Sequence, residues 1–103
     1  MNINTVTVLK QVRDDLEDGR GFYDSNEQGV GDYYYDTIIS DIESLYLYAG
    51  IHPRHQGLYR MLSKRFPFAI YYLIHEETAI VVAVLDLRRK PAWIRKKIQS
   101  RNS

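Results

Sequence analysis

Arginines stand at the ends of the apolar runs in the second half of the chain. Residues 58–93 read LYRMLSKRFPFAIYYLIHEETAIVVAVLDLRRKPAW, and Arg60, Arg65, Arg88 and Arg89 lie within or just after these runs. A guanidinium donates several hydrogen bonds in a fixed fork, which suits carboxylates and phosphates. The pattern predicts one antiparallel sheet with a basic fringe that attracts RNA, DNA or an acidic protein surface.

The basic residues have two interpretations. Those near the first run can be solvated charges that keep a sheet edge from pairing with another strand; they are Arg60, Lys64 and Arg65. The pair Arg88 and Arg89 is more suggestive of function, because Trp93 follows closely. A guanidinium that stacks on an indole still presents donors to phosphate or carboxylate.

Bond cleavage would need a general base in addition to these cations. Asp86 is the carboxylate nearest the arginine pair, and we expect it to form an ion pair with Arg88 or Arg60 instead. His52 and His55 flank Pro53 in a segment without period, with no carboxylate or thiolate nearby. We therefore assign no catalytic residue, no metal site and no cofactor.

The charge of +1 conceals a separation along the chain. Residues 1–50 carry three basic residues against ten acidic ones, a balance of −7, and residues 51–103 carry eleven against three, a balance of +8. One half would then repel polyanions while the other attracts them or an acidic partner. Alternatively, two solvated helices are acid-rich and the halves neutralise each other in the fold.

Length and composition indicate one domain over residues 1–103. Apolar residues make up 45% and aromatic residues 13%, which argues against disorder, and there are no cysteines. The N-terminus lacks a leader pattern, and no apolar run approaches the roughly 18 residues needed to span a bilayer. We expect a cytoplasmic protein without a membrane segment.

The first half of the chain predicts a helical hairpin. A short strand over Thr5–Val8 precedes an amphipathic helix over 9–26, and a second helix runs from Asp32, as N-cap, to Ala49, where Gly50 ends it. The second helix has an apolar stripe that predicts its buried face: Tyr34, Ile38, Ile42, Leu45 and Ala49.

The second half predicts a sheet and a short helix. Residues 50–57 lack period and predict a loop, three strands follow over 58–65, 68–75 and 79–86, and a helix starts at Pro91 and ends near Gln99. The fold class is α+β, a two-helix hairpin packed on a small, mostly antiparallel sheet of three to four strands. The other face must then be open, as a ready site for a partner, or covered by something else; Tyr71, Tyr72 and the arginines near the strand ends are candidates for lining it.

These segments together resemble a known family. GLYRMLSKRFPFAIYYLI and then IVVAVLDLRRKP are similar to the ParE-like branch, or plasmid stabilisation proteins, of the RelE/ParE toxins. In that branch an arginine-bearing strand leads through phenylalanine-proline to an aromatic strand, and the last strand ends in an arginine pair before proline. Upstream, VTVLKQVRDDLEDGRGFYDSNEQGVGDYYYDTIISDIESL resembles the family's helical hairpin.

The resemblance implies a toxin of a type II toxin-antitoxin module, neutralised by a cognate antitoxin that wraps it. ParE-like members inhibit DNA gyrase, and DNA is reached only through the antitoxin complex. We expect the target to contact the basic rim: Arg60, Arg65, Arg88, Arg89 and Trp93. We expect the antitoxin to contact the sheet groove: Tyr71, Tyr72, Arg60 and Ile94.

The resemblance also bears on cleavage, because RelE-like members cut mRNA in the ribosome. Arg60 and Arg89 match two of their basic positions, but four other positions carry different side chains from those expected: Leu62, Phe68, Asp86 and Arg95. Binding is therefore favoured over catalysis. The alternatives are a ribosome-dependent mRNA interferase and a harmless corepressor acting with its antitoxin. A homodimer through Tyr33 and Tyr46 also stays open.

Overall fold

A helical hairpin, a mixed sheet and a C-terminal helix make up the computed structural model, which describes residues 3–102. The helices are α1 (Lys10–Asn26), α2 (Val30–Glu43), the single turn α3 (Leu45–Tyr48) and α4 (Pro91–Asn102). The strands are β1 (Thr5–Val8), β2 (Arg54–His55), β3 (Leu58–Leu62), β4 (Phe68–His75) and β5 (Thr78–Asp86). No helix within these described residues is long and apolar enough to cross a membrane.

The sheet confirms the α+β class and has more strands than expected. Its order is β1-β5-β4-β3-β2, with β1 parallel to β5 and every other neighbouring pair antiparallel. The additional strand is β2, in the segment predicted as a loop. Gln56 and Gly57 both have positive φ, 58° and 78°, as in the two-residue type I′ turn that joins hairpin strands.

The helical hairpin forms as predicted, with different ends for its second helix. α2 begins at Val30 because Gly29 adopts a left-handed conformation, with φ 92°, at the N-cap. Asp32 is therefore not the N-cap; its carboxylate accepts a hydrogen bond from Arg20 of α1. The helix is interrupted at Ser44, whose hydroxyl donates to the Asp41 carbonyl oxygen at 2.6 Å. The predicted stripe is nevertheless buried along its whole length.

Two further boundaries differ from the prediction. β3 ends at Leu62 instead of Arg65, because the Ser63 hydroxyl donates to the buried carboxylate of Asp41 at 2.7 Å and draws the chain towards α2. α4 continues past Gln99 to Asn102, and Arg101 in its last turn forms a buried ion pair with Asp15 of α1.

Both faces of the sheet are covered, so of the two alternatives for the second face, open or covered, the structure shows the covered one. The hairpin packs on one face, where the buried strand residues are Met61, Phe68, Ile70, Tyr72, Ala79, Val81 and Val84. α4 packs on the other through Ile98, Trp93 and Ile94, over Leu58, Ala69, Tyr71, Val82, Ala83 and Leu85. Burial on both sides explains why β4 and β5 are almost continuously apolar.

A β-bulge marks the middle of β5. Tyr71 pairs with Ala83 and Tyr72 with Val81, so Val82 is an extra residue on β5. Two residues further on, Val84 donates its backbone N–H to the Asp15 carboxylate at 2.9 Å. A carboxylate from α1 therefore binds to β5 just after the irregular part of the strand.

Candidate functional site

A groove runs between the first half of α4 and the β2–β3 hairpin. We call it the β3–α4 groove; it encloses about 340 Å³ and is lined by His55, Gln56, Arg60, Tyr71, Leu87, Arg89, Pro91 and Ile94. Four of the residues predicted for the target or the antitoxin thus converge here: Arg60, Arg89, Tyr71 and Ile94. None of the lining residues is acidic.

Arg60 is placed in the groove by strand register. It pairs with Tyr71 across β3 and β4, and alternation puts its side chain on the α4 face with Leu58. The residue is half-buried, and its Nε atom is shielded from solvent without a hydrogen-bond partner. Among the described residues no carboxylate forms an ion pair with it. An aliphatic stem at the sheet therefore carries an unpaired guanidinium towards the groove.

Arg89 enters the groove from the turn that follows β5. Its guanidinium stacks over the Trp93 indole at 4.6 Å from the ring centroid, as the sequence predicted. The Lys97 ammonium lies over the same ring at 5.5 Å. Across residues 3–102 Arg89 has no carboxylate partner. The indole thus orients Arg89 without neutralising it.

Arg88 does not stack on Trp93 and is engaged elsewhere. Its Nε and Nη2 atoms donate to the two carboxylate oxygens of Asp86 at 2.9 and 2.8 Å, and its guanidinium lies over Phe22 at 5.0 Å. Burial alone would raise the pKa of Asp86, but the hydrogen bonds from Arg88 outweigh it and lower that pKa below its usual value. Asp86 is therefore paired as expected, and poorly suited to act as a base.

Arg65 lies apart from the other predicted residues. With Lys64 it is exposed in the turn after β3, beside a depression of about 420 Å³ shared with Tyr33, Asp36 and Asp41 of α2. The predicted basic rim is therefore divided. Arg60 and Arg89 share a groove, whereas Arg65 lies on the hairpin side of the molecule.

A second pocket occupies the opposite side of α4. It encloses about 130 Å³, and its charged lining residues are Asp15, Asp18, Asp86, Arg89 and Lys97. Trp93 and Phe22 form its apolar walls. Both signs of charge are present here, in contrast to the purely basic β3–α4 groove.

The two tyrosines predicted for the antitoxin point in opposite directions. Tyr71 is 2% exposed and forms the floor of the β3–α4 groove with Ile94. Tyr72 is fully buried on the hairpin face, where its hydroxyl accepts a hydrogen bond from the Gly50 N–H at 2.9 Å and contacts His52 Nδ1. Burial lowers the pKa of His52. The expectation that both tyrosines line the face opposite the hairpin is wrong, because neighbouring strand residues alternate.

Sequence reasoning missed several groove residues. His55 and Gln56 were assigned to a loop, and the glutamine-glycine dipeptide before Leu58 is the signal that could have revealed their hairpin. Leu87 and Pro91 join the groove because α4 folds back over the sheet. That contact depends on Arg101 and Asp15, which are 86 positions apart, and nothing local in the sequence indicates it.

Comparisons with known proteins bear on the fold. A scan against protein-family models finds no match, and a search of curated proteins finds none. Among solved structures, a chain of the "Chromosomal ParDE TA system from P. aeruginosa" is similar, with a TM-score of 0.73 and 11% identity over 81% of this chain and 95% of that one. At this identity the likeness concerns the fold, and the chain has the RelE/ParE-like α+β fold that the sequence predicted.

Proposed function

We propose that the protein is the toxin of a bacterial type II toxin-antitoxin module and acts in the cytoplasm by binding a cellular target. It belongs on this proposal to the ParE-like branch, and DNA gyrase is the first target to test. A cognate antitoxin neutralises it. One observation carries the proposal: Arg60 and Arg89, which have no carboxylate partner in the described part of the chain, share one groove of a RelE/ParE-like fold.

Binding, not bond cleavage, is supported by the state of the ionisable groups. Arg88 holds Asp86 as a carboxylate through hydrogen bonds to both of its oxygens, and these bonds lower its pKa and make it a weaker base. Phe68, at a position where RelE-like members have a basic side chain, is 4% exposed under the hairpin. A ligand in the groove would therefore contact cations and apolar surface, but no basic side chain at position 68.

The two proposed contact sets overlap in the groove. The target would meet Arg60, Arg89 and Trp93, with Arg88 and Arg65 at the periphery. The antitoxin would cover Tyr71, Ile94 and Arg60, and Tyr72 would contribute only from beneath the sheet. An antitoxin seated there would exclude the target directly, and DNA would be bound only by the antitoxin complex.

The test is growth of bacteria that express the chain with and without the product of its neighbouring reading frame. We expect wild-type protein to arrest growth and Arg89→Ala or Trp93→Ala to relieve the arrest while remaining folded. Added wild-type protein should also inhibit supercoiling by purified gyrase. Arrest that persists in the folded double variant would contradict the site, and harmless wild-type protein would favour the corepressor alternative.

A second candidate function is supported by His55, which lies in the same groove as Arg60 and Arg89. An imidazole beside two guanidiniums has the groups for general-base cleavage of RNA. If the chain cleaves mRNA, incubating it with programmed ribosomes should give mRNA ends at defined codon positions, and His55→Gln should give none. If it acts by binding, the mRNA should stay uncut with the wild type and with His55→Gln.

A further inference from the structure

We propose that the β3–α4 groove is a carboxylate site, in which an aspartate or glutamate of an acidic peptide segment binds between Arg60 and Arg89. The inference rests on the proposed function and deepens it, because it gives the chemistry by which the antitoxin recognises the groove. The ligand is a peptide that carries one carboxylate next to an apolar side chain.

Arg60 differs from the other arginines because part of its guanidinium is shielded from solvent without a partner. Arg20, Arg88 and Arg101 each pair with an aspartate, and Arg54 donates to a backbone carbonyl at 2.9 Å. In the part of the chain that the structure describes, the remaining arginines without a carboxylate partner are all exposed: Arg13, Arg65, Arg89 and Arg95. Of these, only Arg89 shares a groove with Arg60. A shielded guanidinium without an acceptor is costly, and a ligand carboxylate between the two arginines would offset their unpaired charge.

The side chains of the groove are held in position before any ligand binds. Trp93 holds Arg89 in position, and the stem of Arg60 is fixed beside Tyr71 by the sheet. The groove also includes Pro91, the first residue of the 12-residue helix α4, whose positive dipole end favours an anion. Little side-chain entropy would be lost on binding, so the charge contacts would contribute most of their strength.

The lining of the groove suits a peptide better than a nucleic acid. Tyr71, Leu87 and Ile94 give the groove an apolar floor beside its two guanidiniums. Nucleic-acid binding draws on several phosphate contacts and on aromatic faces open to bases. Here Tyr71 is 2% exposed and the Trp93 ring carries Arg89 and Lys97. An acidic peptide with an apolar neighbour fits these features better than RNA or DNA.

The experiment selects linear peptides from a random displayed library on the full-length protein. The best peptide is then synthesised with capped ends and titrated against wild type, Arg60→Gln and Arg89→Gln. Arg95→Gln is the matched control, because Arg95 is an exposed arginine of α4 that does not line the groove. A second peptide with its acidic residue changed to the amide tests the carboxylate itself.

We expect selected peptides to share an acidic residue beside an apolar one. Arg60→Gln and Arg89→Gln should each weaken binding about 10- to 100-fold, and Arg95→Gln less than about threefold. The amide peptide should bind the wild-type protein about as weakly as the acidic peptide binds Arg89→Gln. Its affinity for Arg89→Gln should be little lower than its affinity for wild type, because the carboxylate that Arg89 contacts is already absent.

Apolar peptides without a carboxylate that bind Arg60→Gln as tightly as wild type would overturn the carboxylate site and leave the toxin proposal intact. A short single-stranded RNA that displaces the acidic peptide with higher affinity would also overturn it. Failure of the proposed function appears separately, as unimpaired growth of cells that express folded wild-type protein. Selection that yields no binding peptide at all would overturn the groove as a peptide site.

Discussion

An arginine lies at each end of α4, Arg101 in its last turn and Arg89 just before its first residue, and within residues 3–102 only Arg101 pairs with a carboxylate. At the C-terminal end, Arg101 and Asp15 form a two-pronged ion pair in which both side chains are 7% exposed. Asp15 also accepts the Val84 N–H of the β-bulge. At the N-terminal end, Arg89 lies with Arg60 in a groove without a carboxylate.

The paired arginine contributes to folding, whereas on the proposed function the unpaired arginines bind a ligand. Removing one member of a buried ion pair leaves the other charged in a poorly solvated site, so the end of α4 with Arg101 and Asp15, which we call the closed end, should be sensitive to substitution. At the other end, where Arg89 and Arg60 line the groove and which we call the open end, the described residues form no ion pair of that kind. The same chemical group should therefore affect stability at one end of α4 and binding at the other.

The largest effect on stability is expected from Arg101→Gln. Loss of the cation leaves the Asp15 carboxylate buried with only the Val84 N–H, and we expect the free energy of unfolding to fall by about 3–5 kcal/mol in urea titrations. The double variant Asp15→Asn/Arg101→Gln should lose less than Arg101→Gln alone. If the free energy of unfolding fell by less than about 1 kcal/mol in Arg101→Gln, the ion pair of Arg101 with Asp15 would not be an important contribution to stability.

Gly19→Ala should follow, because Gly19 is one turn beyond Asp15 on the packed face of α1. A Cβ there would lie 2.4 Å from Cζ and the hydroxyl oxygen of the buried Tyr34. We expect a loss of about 1–3 kcal/mol in thermal or urea unfolding. Gly21→Ala is the control: nothing lies within 4 Å of its Cβ, so it should stabilise the helix by up to about 1 kcal/mol.

A smaller, pH-dependent effect is expected at His52, which packs against Tyr72 under the hairpin side of the sheet. Burial lowers its pKa, so folding favours the neutral ring. This contribution is present above the unfolded-state pKa of about 6.5 and is lost as pH falls through that value towards the lower native one. Between about pH 7.5 and 5 we expect the free energy of unfolding to drop more for wild type than for His52→Gln. Equal slopes would contradict this assignment.

The smallest effect on stability is expected from Arg60→Gln, which makes the same arginine-to-glutamine change as Arg101→Gln but in the β3–α4 groove. Since Arg60 has no ion pair among the described residues, the free energy of unfolding of the variant should stay within about 0.5 kcal/mol of wild type in the same urea titrations. A loss as large as that of Arg101→Gln would mean that Arg60 is a structural residue, and the distinction between the two ends would fail.

Local pattern accounts for most elements of the fold. β4 was predicted with its observed ends, because an apolar aromatic run lies between Pro67 and the Glu76–Glu77 turn. The α2–α3 stripe was predicted because its spacing follows the helix period. These signals are contained in a few neighbouring residues, and they need no knowledge of the rest of the chain.

The site was harder to predict, because it depends on where α4 packs. Trp93, Ile94 and Ile98 form a narrow apolar stripe in a helix otherwise rich in cations, and this weak pattern does not indicate where the helix packs. The contact that fixes α4 joins Asp15 to Arg101 across almost the whole chain. Arg60 and Arg89 were identified by charge, but their meeting in one groove follows only from this long-range packing.

The most direct test of the account is the growth of bacteria that express Arg60→Gln/Arg89→Gln beside the wild type, at matched levels of folded protein. We expect the wild type to arrest growth and the double variant to permit it, with the unfolding transitions of the two proteins nearly superimposed. Arrest by the folded double variant equal to that of wild type would contradict the claim that the unpaired arginines of the β3–α4 groove carry the function.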